Sequence, residues 1–162
     1  VAPRAVLPTH LVAESRITEF DMPVARDLAH DIAVQRDGRV VVTGMFTHRM
    51  YVLDPGSGRI EGVDIPVPNA NPRAVEIDSL GTWWVVLGAP RMLASHVPST
   101  GEWRTFDVGV YPHSLAVGEG KVWYDGHFTH APELIAEVAM PSLQSGFTSL
   151  DSRNTHAGLP ME

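Results

Sequence analysis

Three basic residues hold matching places in a sequence that repeats itself. His30, Arg73 and His113 each open a short β-prone run, His30–Val34, Arg73–Ile77 and His113–Val117. An imidazole exchanges a proton near neutral pH and ligates metals when neutral, whereas a guanidinium keeps a fixed charge suited to oxyanions. Two His and one Arg gathered on one rim can therefore bind an anion, a carboxylate ligand or a metal. The alternative is that each side chain hydrogen-bonds the adjacent repeat and sets its spacing. A second pairing adds imidazoles: Gly44-Met45-Phe46-Thr47-His48 and Gly126-His127-Phe128-Thr129-His130 share the pattern Gly-x-Phe-Thr-His. With His113, the residues His48, His127 and His130 would then crowd one rim, suited to a metal or a redox partner, or reflecting repeat ancestry alone. Asp125, two residues before His127, can orient an imidazole or simply shape a turn. No Ser/His/Asp order, Gly-rich phosphate loop or H-E-x-x-H motif is present, and no paired carboxylates mark a cleft.

Composition narrows the chemistry further. The 162 residues carry a net charge of −7 and no Lys/Arg cluster, which disfavours nucleic acid and anionic membranes. With no cysteine, disulfides, thiolate metal sites, a Cys nucleophile and thioether-linked haem are excluded. No apolar run approaches the roughly 18 residues of a membrane-spanning helix, so no membrane insertion is expected. The sequence opens on Val1 without a basic-then-apolar leader, which fits a mature exported protein or a piece of a longer one.

The elements that must position these side chains come from a period of 43 residues. Asp54-Pro55-Gly56-Ser57-Gly58, Val97-Pro98-Ser99-Thr100-Gly101 and Met140-Pro141-Ser142-Leu143-Gln144-Ser145-Gly146 are the same turn three times. Between these turns the first copy reads as four short strands: His30–Val34, Arg39–Gly44, Arg49–Leu53 and Arg59–Ile65. Asp37-Gly38 between β-branched runs is a hairpin signal, and Gly38, Gly81 and Gly120 are its equivalents. The second copy gives Arg73–Ile77, Trp83–Leu87, Met92–His96 and Trp103–Val108, and the third gives His113–Val117, Lys121–Asp125 and Leu134–Val138. Trp83, Trp84, Trp103 and Trp123 are expected to pack between repeats. No stripe of period 3.6 suggests a helix.

Four antiparallel strands repeated every 40–45 residues mark an all-β fold of β-propeller blades. The expectation is an irregular arm over 1–15, three blades over 16–150, and a tail over 151–162. An orphan outer strand, 16–22, belongs to the blade region. Three blades make a partial ring, because rings take about four to eight and an end blade exposes an apolar face. Either the chain is part of a longer propeller, or a protein partner or a second copy completes it. Two copies would give six blades.

At these repeats the sequence resembles the streptogramin lyase (virginiamycin B lyase-like) family. Ile17-Thr18-Glu19-Phe20, Ile60-Glu61 and Arg104-Thr105-Phe106 look like that family's outer strand. Ala29-His30-Asp31-Ile32-Ala33-Val34 and Pro112-His113-Ser114-Leu115-Ala116-Val117 look like its inner strand. Asp37-Gly38-Arg39-Val40-Val41-Val42-Thr43 and Gly120-Lys121-Val122-Trp123-Tyr124 look like its second strand. The resemblance implies a Mg²⁺-dependent enzyme that opens a lactone by elimination, with His113 as acid/base and His30 at the same kind of position. It also implies a Glu-x-His at an inner-strand start, where this chain has Leu28-Ala29-His30, Asn71-Pro72-Arg73 and Tyr111-Pro112-His113. The family's Mg²⁺-holding Glu would fall at Gly44, Gly88 and Gly126, which carry no side-chain oxygen. Mg²⁺ is thus implied only if the lyase reading holds, and the cofactor is otherwise left open. The favoured reading is a binding or assembly subunit, and the alternative is part of a Mg²⁺-dependent C–O lyase. Resemblance also leans towards a periplasmic or extracellular location.

Overall fold

The computed structural model describes residues 17–127 and 134–139. Among these residues there are eleven strands and no helix. The first blade contains β1 (Ala29–Val34), β2 (Val40–Gly44), β3 (Arg49–Leu53) and β4 (Ile60–Asp64). The second contains β5 (Pro72–Ile77), β6 (Trp83–Leu87), β7 (Met92–Val97) and β8 (Glu102–Asp107). The third contains β9 (Tyr111–Gly118), β10 (Lys121–His127) and β11 (Leu134–Ala139). Within each blade successive strands pair antiparallel in chain order. The result is three consecutive blades of a partial β-propeller.

Local chemistry explains the hairpins. Gly38, Gly81 and Gly120 sit at φ of +86°, +86° and +75°, a region glycine enters without steric cost. The period-marking turns close in the same way, with Gly58 donating to the Asp54 carbonyl at 2.8 Å and Gly101 to the Val97 carbonyl at 2.9 Å. Asp54 adds a side-chain brace, accepting from the Gly56 amide at 2.9 Å and the Ser57 hydroxyl at 2.8 Å. The third such turn (140–146), the arm over 1–15 and the tail over 151–162 lie outside the described residues.

Residues 17–22 form no strand, contrary to the sequence expectation. A strand needs a partner edge to take up its amides and carbonyls. The segment instead passes the β3–β4 turn, where the Phe20 ring comes within 3.8 Å of the position a Cβ on Gly58 would take.

The blades stand side by side, β1 packing on β5 and β5 on β9, with β2 against β5 and β6 against β9. The innermost strands therefore follow one another around a common axis. Two apolar cores fill the junctions. Val41, Met50, Val75, Trp83, Val85, Leu87 and Ala94 are buried between the first and second blades. Ala74, Trp84, Val86, Leu93, Val122 and Tyr124 fill the next junction. Each large side chain buried in this way contributes about 1.5–3 kcal/mol. A blade shielded on only one side forgoes that gain on the other.

The two outer faces carry that loss. Ala33 packs into the first junction, so by strand alternation Ile32 and Val34 point the opposite way, and they are 61% and 65% exposed. Val122 and Tyr124 pack into the second junction, so Trp123 points outward and is 42% exposed. Of the four tryptophans expected to pack between blades, three pack against a neighbouring blade of this chain. Trp83, Trp84 and Trp103 do so, whereas Trp123 lies on the open face under the ammonium of Lys121, 5.4 Å from the ring centre.

Candidate functional site

The register of the inner strands creates the site. In β1 the pairing Ala29↔Gly44 is followed by Ile32↔Val42, leaving His30 and Asp31 opposite Thr43 alone. In β5 Pro72↔Leu87 is followed by Ala74↔Val86, which makes Arg73 the extra residue. In β9 Pro112↔Gly126 is followed by Leu115↔Tyr124, leaving His113 and Ser114 opposite Asp125. Each inner strand thus carries a β-bulge at the basic residue singled out by its sequence position. Bulges re-aim side chains and bend the strand, and here they turn three residues towards one rim.

His30, Arg73 and His113 do come together. His30 donates from Nδ1 to the Arg73 carbonyl at 2.7 Å, which leaves Nε2 as its second ring position. The His30 ring meets the His113 ring edge-on, with centres 5.9 Å apart. The Arg73 side chain is anchored by Nε donating to Asn71 Oδ1 at 2.9 Å and by its guanidinium lying 5.4 Å from the Tyr111 ring centre. His127 joins the group, its ring centre 4.6 Å from that of His113.

Asp125 organises the third blade's share. Its Oδ1 accepts from the amides of His113 at 3.2 Å and Ser114 at 2.7 Å, satisfying the donors that the bulge frees. Its Oδ2 lies 4.0 Å from His127 Nε2. Burial moves His113 below the usual histidine range, and His127, His30 and Arg73 push the same way against the opposing charge of Asp125. A lowered pKa favours the neutral imidazole, the form that accepts a hydrogen bond or ligates a metal.

His48 has a different duty. Its Nδ1 accepts from the Asn71 amide at 3.1 Å, and the Asn71 side chain donates back to the Met45 carbonyl at 3.2 Å. It therefore ties the first blade's β2–β3 turn to the start of the second blade. His130 lies outside the described residues.

The second-strand ends do not supply the carboxylate that the lyase resemblance implies for Mg²⁺. A Cβ on Gly44 would overlap Asp27 Oδ2 and the Tyr51 ring. Asp27 fills this space and accepts from the amides of Leu28, Phe46 and Thr47 and from the Thr47 hydroxyl. The ladder also places Leu87, not Gly88, opposite Pro72, so the second blade's true equivalent is a buried aliphatic. Gly88 lies one step further on, against Asn71 and Tyr111. Mg²⁺ takes oxygen ligands, and the side chains at Gly44, Leu87 and Gly88 supply none of their own. Asp27 was missed because it belongs to no repeat motif, and Asn71 and Tyr111 because their repeat-equivalent positions show no shared residue type, their partners being set by tertiary contact.

No family model and no curated protein matches the sequence. Solved structures do match in fold. A streptogramin B lyase structure superposes with a TM-score of 0.62 at 20% identity, covering 76% of this chain and 44% of that one. A catalytically inactive virginiamycin B lyase from Staphylococcus aureus with quinupristin gives a TM-score of 0.63 at 18% identity, covering 76% and 45%. The extracellular domain of a hybrid two-component system from B. thetaiotaomicron gives 0.60 at 12% identity, covering 89% and 20%. The chain thus spans less than half the length of these proteins. The likeness is one of fold, and propeller folds host many chemistries.

Proposed function

We propose that this chain is a propeller segment that acts as a binding or assembly subunit, with further blades supplied by a second copy or by another chain. The observation that carries this reading is the pair of unshielded blade faces, Ile32 and Val34 at one end and Trp123 at the other. Large apolar side chains left exposed on the face of an end blade are what the next blade of a propeller buries. The test is the mass of the chain in solution, alone and with Ile32→Lys or Trp123→Lys. Assembly that weakens in both variants supports the reading, and a compact monomer unchanged by either substitution overturns it. Extracellular propeller domains among the fold relatives support a location outside the cytoplasm. Protease accessibility of the chain on intact cells checks this.

A second reading is part of a Mg²⁺-dependent streptogramin-type C–O lyase. It is favoured by His113, which lies on the rim with its pKa lowered towards the neutral base. The carboxylates would then have to come from other blades. Lactone opening that needs both Mg²⁺ and His113 supports it. Inactivity of the assembled protein, or activity indifferent to His113→Ala and to chelation, overturns it.

A further inference from the structure

We propose that His113, Asp125 and His127 bind one divalent transition-metal ion of the Zn²⁺, Co²⁺ or Ni²⁺ class. One ligand atom from each of the three lies within 4.8 Å of the others. Two imidazoles and one carboxylate suit borderline transition metals and not Mg²⁺, which prefers an all-oxygen shell. Bonds of about 2.0–2.2 Å in tetrahedral array place ligand atoms roughly 3.3–3.5 Å apart. Side-chain rotations of about 1 Å therefore close the set. The β9–β10 ladder holds His127 opposite Tyr111 and Gly126 opposite Pro112, and the Asp125 carboxylate bonds to the His113 and Ser114 amides hold the bulge between them.

The first blade offers a built-in comparison. There the bulge amide of Asp31 is satisfied by the hydroxyl of Thr43 at 2.9 Å, so the bulge itself does not require a carboxylate. At the matching place the third blade has Asp125, whose Oδ1 meets the bulge amides while Oδ2 stays turned towards His127. Where the first blade has Met45 following Gly44, the third has His127 following Gly126. One scaffold thus appears twice, and only the third blade carries the second carboxylate oxygen and the second imidazole. The bulge amides also orient the carboxylate, a service that outer hydrogen bonds give to metal ligands. Three protein ligands leave a fourth position for water or an incoming anion, as in open Zn²⁺ sites. Arg73 and His30 beside His113 would favour an anion there.

The test uses the full chain, stripped with a chelator and titrated with Zn²⁺ by calorimetry and with Co²⁺ by visible absorption. The expected result is one ion per chain, with the Co²⁺ bands of a low-coordinate site. Asp125→Asn keeps the amide-accepting oxygen but removes the ligand charge, and His127→Ala removes a ligand; each should weaken binding about tenfold or more. His48→Ala should leave it unchanged. Absence of saturable binding overturns the proposal. So does binding that survives both Asp125→Asn and His127→Ala, which would assign the ion to other histidines. Circular dichroism shows that a variant that fails to bind is folded, and Asp125→Asn decides the matter should His127→Ala unfold.

Discussion

His30 donates from Nδ1 to the backbone carbonyl of Arg73 across 2.7 Å, joining residues 43 apart in sequence. The repeat period is thereby made into a bond: the bulge of one blade holds the bulge of the next. Its neighbour Asp31 adds a parallel link, accepting from the Val75 amide at 2.9 Å. Together they link the first two blades at the inner strands, while Trp83 and its neighbours fill the junction behind them.

Removal of these links should loosen that junction measurably. His30→Ala is expected to cost about 1 kcal/mol and Asp31→Ala about 2 kcal/mol, the latter because a charged acceptor is lost. Urea denaturation midpoints read both. The double variant should cost less than the sum of the singles if the two bonds hold one junction.

Gly44 is expected to be irreplaceable. A methyl group there collides with Tyr51, which is buried, and displaces Asp27 from its donors. Gly44→Ala should cost about 1–3 kcal/mol through overpacking. Gly81→Ala has open space at its Cβ and a positive φ, so its smaller cost would be backbone strain alone. Thermal denaturation of the two variants separates the effects.

Stability should fall on mild acidification, and His96 should account for part of the fall. The His96 ring is buried between Trp103, at 4.3 Å, and Trp83, at 4.8 Å. Burial lowers its pKa, against the bond to the Glu102 carbonyl, which acts to raise it. The folded chain therefore resists the proton that the unfolded chain accepts near pH 6.5. The contribution is complete above that pH and is lost as pH falls below it, with a slope of at most about 1.4 kcal/mol per pH unit. His96→Phe keeps the stack without the proton. Denaturant midpoints between pH 7 and 5 should show a shallower decline in this variant, whereas an identical decline would remove His96 from the account.

The blades were legible because their signals are local. The turn glycines announce a positive φ, and the observed strands fall within one or two residues of the runs read from β-branched and aromatic residues. The shared rim position of His30, Arg73 and His113 followed from counting repeats. The bulges were not legible, since a bulge exists only when two strands are paired and one is longer. The same cause misplaced Gly88: the second blade's bulge is one residue shorter, so matching by motif and matching by ladder part company there. Sequence shows that the Trp123 face is apolar without showing what covers it, and no blade of the described residues does. His48 was read only as a motif residue, and its bond to the Asn71 amide, 23 residues on, is set by tertiary contact that no motif shows.

In the proposed assembly, blades from another copy or another chain cover the outer faces. Native mass spectrometry of the purified chain at micromolar concentration tests it most directly. The expected result is species heavier than the 17.7 kDa chain, reduced to single chains by Ile32→Lys and by Trp123→Lys. A stable, compact 17.7 kDa monomer, identical in the two variants, would contradict it.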